Sequence, residues 1–193
     1  MGRAAFNQDI PSFLEPITSA GAMTVAVMVG SVDGRATIDG RVGELTGPAD
    51  QQLLHWARER ASAIVVGGRT VHAEGYDGLL GDEAKARRQA RGVPPEPELV
   101  VFTRESPSPP ELWAQLRERH PDQLIVCEGG PTLLGFVIEH GLLDQLVLCV
   151  SPKIVGDDSQ QRLLSHSGAL GIDVELLAAT ADQSFLFLRY GLR

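Results

Sequence analysis

A few short stretches of this 193-residue chain combine residue types suited to binding an anion or moving a proton. Glu128-Gly129-Gly130-Pro131-Thr132 follows the apolar run Leu124–Cys127 and opens a helix-like run. Glycines there let a ligand approach the backbone, and the free N–H groups at a helix start favour an anion such as a pyrophosphate. Ala63–Val66 runs into Gly67-Gly68-Arg69-Thr70, a second strand-to-glycine turn. One Gly-Gly pair is explained equally well as a tight turn; two such turns after two strands are a stronger signal. Leu99–Phe102 ends in Thr103-Arg104, a hydroxyl and a guanidinium that suit a phosphate, unless Arg104 simply pairs with Glu105. In Ser31-Val32-Asp33-Gly34, Asp33 either borders a ligand at a strand's C-terminal end or closes an Asx turn on its own backbone. His55 and Arg58 share a predicted helix face, which either meets a ligand or is solvated.

These residues need strands and helices to hold them, and the apolar pattern supplies both. Met23–Val29 reads as a central strand, followed by turns around a short strand at Ala36–Ile38. Thr46 is a candidate cap and Pro48 an early residue of a helix with Leu53, Leu54, Ala57 and Ala61 as its stripe. Asp82–Gly92 is a charged, solvated helix, and Val93–Pro97 a stiff connector. A helix over Glu111–His120 precedes the strand–turn–helix–strand unit running from Leu124 to Gly156. Gln160–Leu164 reads as one helical turn. Val174–Ala179 and Ser184–Tyr190 form a hairpin through Thr180–Gln183. The fold class expected is therefore α/β, with a mostly parallel mixed sheet, flanking helices and a C-terminal antiparallel hairpin. Residues 1–21 carry Pro11 and Pro16 and read as an N-terminal arm with one helical turn around Ser12–Glu15.

The composition has 43% hydrophobic and 22% charged residues, which suits a single globular domain. A net charge of −8 argues against a general nucleic-acid binder, yet leaves room for a local basic pocket. Cys127 and Cys149 fall in apolar runs without metal-ligand spacing, so no metal site is expected. No run has the apolar length of a membrane span, and no signal peptide is evident. A soluble, cytoplasmic protein without membrane or nucleic-acid partners is the expectation.

Four segments together resemble the reductase domain of riboflavin biosynthesis, the RibD C-terminal domain, with its dihydrofolate-reductase-like fold. They are Ser31–Arg35, Ala63–Val71, Val126–Leu133, and Leu143–Leu146 running on to Ser151-Pro152-Lys153-Ile154-Val155-Gly156. The resemblance covers nearly everything from Met23 onward and implies one reductase domain over residues 22–193. It implies an NADPH-dependent oxidoreductase of the 5-amino-6-(5-phosphoribosylamino)uracil reductase type, acting by hydride transfer as a homodimer. Gly67, Gly68, Thr70, Gly129, Gly130 and Thr132 would hold the dinucleotide, and Thr103 and Arg104 its 2′-phosphate. Ser31, Asp33, His55, Arg58 and Glu128 would border the substrate, with Asp33 or Glu128 polarising it or relaying a proton. The zinc deaminase to which such domains are sometimes fused needs His-x-Glu and Pro-Cys-x-x-Cys, and neither occurs here. The chain departs from the family pattern at Val27, where Lys or Asn is frequent, at Gln51 in place of Arg, and at Glu74-Gly75-Tyr76. Two further readings stay open: a dihydrofolate or other pterin reductase of the same fold, and a non-catalytic NADPH-binding protein.

Overall fold

Near-continuous apolar strands belong in a sheet covered on both faces, and that is the arrangement found. The computed structural model describes residues 5–6, 9–18, 22–74, 76 and 78–192. In chain order the elements are β1 (Ala5–Phe6), α1 (Ile10–Thr18), β2 (Met23–Ser31), α2 (Pro48–Arg60), β3 (Ala63–Gly67), α3 (Gly68–Glu74) and α4 (Asp82–Ala90). Then follow β4 (Glu98–Phe102), α5 (Pro109–Arg119), β5 (Leu124–Cys127), α6 (Pro131–Glu139), β6 (Gln145–Ser151), β7 (Val174–Asp182) and β8 (Phe185–Leu192). They build one eight-stranded sheet in the order β1-β7-β8-β6-β2-β5-β3-β4. β8 runs antiparallel to both its neighbours, and every other pairing is parallel. The mixed α/β architecture with a C-terminal hairpin agrees with the sequence reading.

Alternation along the strands divides the core. Val25, Val27, Ile64, Val66, Val126 and Cys149 face α1 and α2, whereas Ala26, Met28, Val65 and Cys127 face α5 and α6. Both cysteines are buried and free. β2 lies between β5 and β6, so its neighbours come from distant parts of the chain. The C-terminal ends of β2, β3 and β5 therefore open together, the place where open α/β sheets receive ligands.

Several local expectations are corrected. Residues 10–18 form a full helix where one turn was expected, because Ile10, Phe13, Leu14 and Ile17 make an apolar stripe buried in the core. Residues 1–4, 7–8 and 19–21 of that N-terminal segment lie outside the described residues. Gln160–Leu164 is not helical, since its backbone bonds to the loop after β2: Ala36 N–H to Gln161 O at 2.7 Å and Leu163 N–H to Gly34 O at 2.9 Å. Ala36–Ile38 forms no strand: isolated bridges join Arg35 to Arg162 and Ile38 to Arg41. Gly47 caps α2, while the Thr46 hydroxyl donates to Gly43 O. The hairpin turn is Gln183-Ser184, later than Thr180–Gln183. Both residues have positive φ, 48° and 70°, as a two-residue turn matching strand twist requires.

The charged run of α4 is only partly a solvated face. Arg88 is 2% exposed and donates to Glu59 O at 2.7 Å and Ala61 O at 2.6 Å. It thereby satisfies carbonyls at the C-terminus of α2 that the helix leaves without partners. Arg87 holds the Glu59 carboxylate from the same helix. So α4 fixes the far end of α2, and the near end of α2 forms part of the cleft described next.

Candidate active site

The cleft starts from two strand-to-helix turns. β3 ends at Gly67 and α3 begins at Gly68; β5 ends at Cys127 and α6 begins after Gly130. A side chain at Gly129 would place its Cβ 2.3 Å from Leu133 Cδ2, so this turn closes only with glycine. Gly130 caps α6 without a side-chain hydrogen bond, and no acid occupies the first turn. The Thr132 and Leu133 N–H groups, preceding the first intrahelical bond, are thus available to an anion. The two turns touch: Thr70 Oγ1 sits 3.3 Å from where a Cβ on Gly130 would be, and Arg69 Nη2 donates to Thr132 Oγ1 at 3.0 Å.

Together with β4 and α2 these turns enclose a cleft of about 1550 Å³. That exceeds the ~300–1,000 Å³ usual for a single small ligand. Gly67, Gly68, Thr70, Thr103, Arg104, Gly129, Gly130 and Thr132 all line it, as do Arg58 and Glu128. Arg104 does not pair with Glu105; its guanidinium has no ion-pair partner among the described residues. The Ser106 hydroxyl accepts from Thr103 N–H at 2.9 Å and orders that loop. These features fit a dinucleotide phosphate: backbone donors, close approach at glycine, and the free Arg104 guanidinium at one end.

The opposite wall comes from β2 and α2. Val27, Met28, Val29 and Leu54 make it largely apolar. Glu128 is 8% exposed and fully engaged. Arg58 Nε lies 2.9 Å from Oε1 and Nη2 lies 2.7 Å from Oε2, while the Tyr76 hydroxyl donates to Oε2 at 3.2 Å. The Arg58 guanidinium also sits 5.2 Å from the Tyr76 ring centre. Burial and the Glu128 charge push the Tyr76 phenol up. The departure at Tyr76 thus has a structural role, although Gly75 beside it lies outside the described residues.

Three expected site residues are not brought into the cleft. The Asp33 carboxylate accepts from the Ser31 hydroxyl at 2.6 Å and from the Val155 and Gly156 N–H groups at 3.0 and 2.8 Å. Those bonds hold its carboxyl well below the usual range, the Ser31 hydroxyl first among them. Ser31 Oγ also accepts from Arg35 N–H at 2.8 Å, so the pair tie the loop after β2 to the segment after β6. His55 is exposed and points to a shallow depression with Pro48, Gln52 and Asp182, one residue past the stripe Gln51–Leu54–Arg58 that faces the cleft.

Several cleft residues lie outside the sequence reading of the site, Arg69 and Asp50 among them. Arg69 was read only as part of a turn. Asp50, in the first turn of α2, is 5% exposed and lines the cleft. Burial raises its carboxyl to about 6, against a smaller lowering by the Cys149 thiol, which donates to it. An acid in a helix's first turn ordinarily signals no more than a favourable dipole contact, so its sequence position gave no warning. Among the described residues no cluster of three or more His, Cys, Asp or Glu is placed to hold a metal ion, and no helix is long and apolar enough to cross a membrane.

Comparison with known proteins bears on this geometry. The family described as RibD C-terminal domain matches residues 23–112 and 106–186. A 2,5-diamino-6-ribosylamino-4(3H)-pyrimidinone 5′-phosphate reductase of Methanothermobacter thermautotrophicus is 26% identical over 176 residues, covering 68% of this chain and 81% of that protein. The riboflavin biosynthesis protein RibD of Mycobacterium tuberculosis is 31% identical over 144 residues, covering 65% of this chain; the chain spans only 41% of that protein's length. Among solved structures, a pyrimidine reductase-like protein from Corynebacterium diphtheriae superposes with a TM-score of 0.79 at 19% identity, covering 96% of this chain and 99% of the other. Dihydrofolate reductase from Enterococcus faecalis, complexed with NADP(H), superposes with a TM-score of 0.62 at 14% identity, over 89% of this chain and 96% of the other. The fold is dihydrofolate-reductase-like.

Proposed function

The chain belongs to the RibD C-terminal domain family, and from that premise we propose that it is an NADPH-dependent reductase of a riboflavin-pathway pyrimidine. The substrate is of the 5-amino-6-(5-phosphoribosylamino)uracil type, reduced at the ribosyl carbon. The observation that carries the proposal is the pairing of the Gly67–Thr70 and Gly129–Thr132 turns across one cleft, with Arg104 free at its end. The glycine turns and the α6 N-terminus receive the pyrophosphate, and Thr103 and Arg104 receive the 2′-phosphate. When bound, the cofactor supplies a hydride; the protein orients the two reactants and excludes water. Arg58, Tyr76 and Glu128 form a rigid buffer of charge beside the substrate. Ser31 and Asp33 shape the loop that borders it. The test is stoichiometric NADPH oxidation on adding 5-amino-6-(5-phosphoribosylamino)uracil, with the ribityl product identified by mass; no oxidation sinks the proposal.

A second reading, a pterin or other less phosphorylated substrate of the same fold, has one observation in its favour. Among the described residues lining the cleft, the apolar wall at Val27, Val29 and Leu54 carries no unpaired cation, since Arg58 is engaged by Glu128. Side-by-side kinetics on dihydrofolate and the phosphoribosyl pyrimidine separate the two. The same proposal includes a cytoplasmic homodimer. Ile154, Ile172, Val174 and Leu186 are exposed apolar side chains in the single chain, and a second copy can cover them. A monomeric mass by light scattering at micromolar concentration removes that part.

A further inference from the structure

Reduction of a C=N or C=O bond adds a hydride at carbon and a proton at the heteroatom. The source of the proton is a question of which acid in the cleft can hold one. Glu128 has both oxygens engaged by Arg58 and one also by Tyr76, so neither oxygen is left without a partner. Asp33 has both oxygens bonded to the Ser31 hydroxyl and two backbone N–H groups, outside the cleft. Glu139 lies at the rim and faces His166.

Asp50 differs from all three. It is nearly fully buried, it lines the cleft, and its hydrogen-bond partner among the described residues is a thiol, Cys149. Among the described residues no cation forms an ion pair with it. Cys149 on β6 stands in register with Val29 of β2 on one side and Phe187 of β8 on the other. Arg189, two residues further along β8 and paired with Val147, is buried with Nε and Nη1 unpartnered, and its guanidinium sits 5.8 Å from the Phe13 ring centre. On its own helix Arg58 is bound to Glu128 and Gln51 is neutral.

We propose that Asp50 is the acid that protonates the substrate heteroatom during reduction, a catalytic residue set in the apolar wall between Val29 and Leu54. The proposal rests on the reductase reading above. In the balanced step the ring-opened C1′=N carbon takes a hydride, two electrons, from the dihydronicotinamide. The nitrogen takes the proton of the Asp50 carboxyl, which is left as a carboxylate and regains a proton from water through the open cleft. A neutral carboxylic acid in such a wall has a place there, since an isolated anion would be unfavourable. The raised value fits a general acid working near neutrality.

The test compares wild type with Asp50→Asn, an isosteric change. Wild-type kcat, with NADPH and 5-amino-6-(5-phosphoribosylamino)uracil, is expected to fall about tenfold per pH unit above an inflection near or above pH 6. The variant should lose about 10²-fold in kcat, lose the inflection, and bind NADPH with unchanged affinity by fluorescence quenching. Infrared titration of the ligand-free protein gives a readout without turnover: a protonated-carboxyl band that persists to near pH 6 and is missing from the variant. A variant that keeps kcat and the wild-type pH profile overturns the proposal. If wild type does not turn the pyrimidine over, the reductase reading fails on its own. The infrared titration then decides for Asp50, and a carboxyl that titrates in the ordinary aspartate range overturns its assignment.

Discussion

The two halves of the cleft are built from different materials. The half formed by the β3 and β5 turns is made of backbone: glycines, helix-start N–H groups and a loop ending in Arg104, with donors left over. The half formed by β2 and α2 is made of side chains that already bind one another, Arg58 to Glu128 and Tyr76, and Asp50 to Cys149. A backbone site waits for a ligand to complete it. A self-paired side-chain site is complete beforehand, and what distinguishes one substrate from another there is which group can still give or take a proton.

The largest effect is expected from removing the centre of the self-paired half. Arg58→Ala leaves the Glu128 carboxylate, 4% exposed at its side chain, without its guanidinium. A buried charge stripped of its partner costs about 3–5 kcal/mol, and the Tyr76 hydroxyl that remains offsets only part of that. Urea unfolding of the variant at neutral pH should show a loss near the low end of that range, together with collapse of turnover. A loss below about 1 kcal/mol would mean that the pair is solvated and that the wall is not pre-assembled.

Next in size is the stability effect of Asp50. Folding raises its carboxyl from 3.8 to about 6, so the unfolded chain releases this proton at lower pH than the folded one. Between those values stability falls as pH rises, by a ceiling of about 3 kcal/mol, and the loss is complete above about pH 7. Asp50→Asn removes the titration. The difference in urea midpoints between variant and wild type should therefore move in the variant's favour from pH 4 to pH 8. Parallel curves would place Asp50 in contact with water and end its distinction from an ordinary surface acid.

The backbone half is legible in the sequence and the side-chain half only in part, for a physical reason. Gly67-Gly68 and Gly129-Gly130 announce themselves because strand, glycine and helix start are consecutive, so local spacing is the geometry. Asp50 and Cys149 meet only because β2 pairs with β6 and α2 lies over both, which no local pattern encodes. His55 and Arg58 share a helix face in sequence, yet only Arg58 lines the cleft, while His55 is exposed beside the depression that Asp182 also lines. Pro11 and Pro16 obscure the stripe at Ile10, Phe13, Leu14 and Ile17 in the sequence, and burial of that stripe outweighs the prolines. The hairpin turn was misplaced because Gln183 and Ser184 are uncommon at positive φ; the pairing of β7 with β8 imposes it.

A smaller effect belongs to the backbone half. Arg104→Ala removes a free guanidinium from the proposed 2′-phosphate position. A charge-assisted hydrogen bond contributes about 1.5–3 kcal/mol, so NADPH should bind roughly 10- to 150-fold more weakly, with NADH hardly affected. Equal losses for both dinucleotides would move the 2′-phosphate elsewhere, with Arg69 as the next candidate.

The smallest effect tests the boundary between the halves. Asp33 and Asp50 are both acids near the end of β2, and only their partners differ. Asp33→Asn keeps one acceptor oxygen for the loop and removes a charge that is exposed. Its kcat and NADPH affinity should stay within about threefold of wild type, the usual range for a surface change. The readout that should move is hydrogen exchange at Val155 and Gly156, whose amides donate to this carboxylate. Because those bonds and the Ser31 hydroxyl lower the Asp33 carboxyl, the support it gives is present above the ordinary aspartate range and fades as pH falls through the folded value. Exchange at the two amides should accelerate in acid, beyond its intrinsic pH dependence, in wild type but not in the variant. If Asp33→Asn instead lowers kcat as far as Asp50→Asn does, a fully satisfied carboxylate outside the cleft is contributing to the chemistry, and Asp50 is not set apart from the acid that shapes the loop.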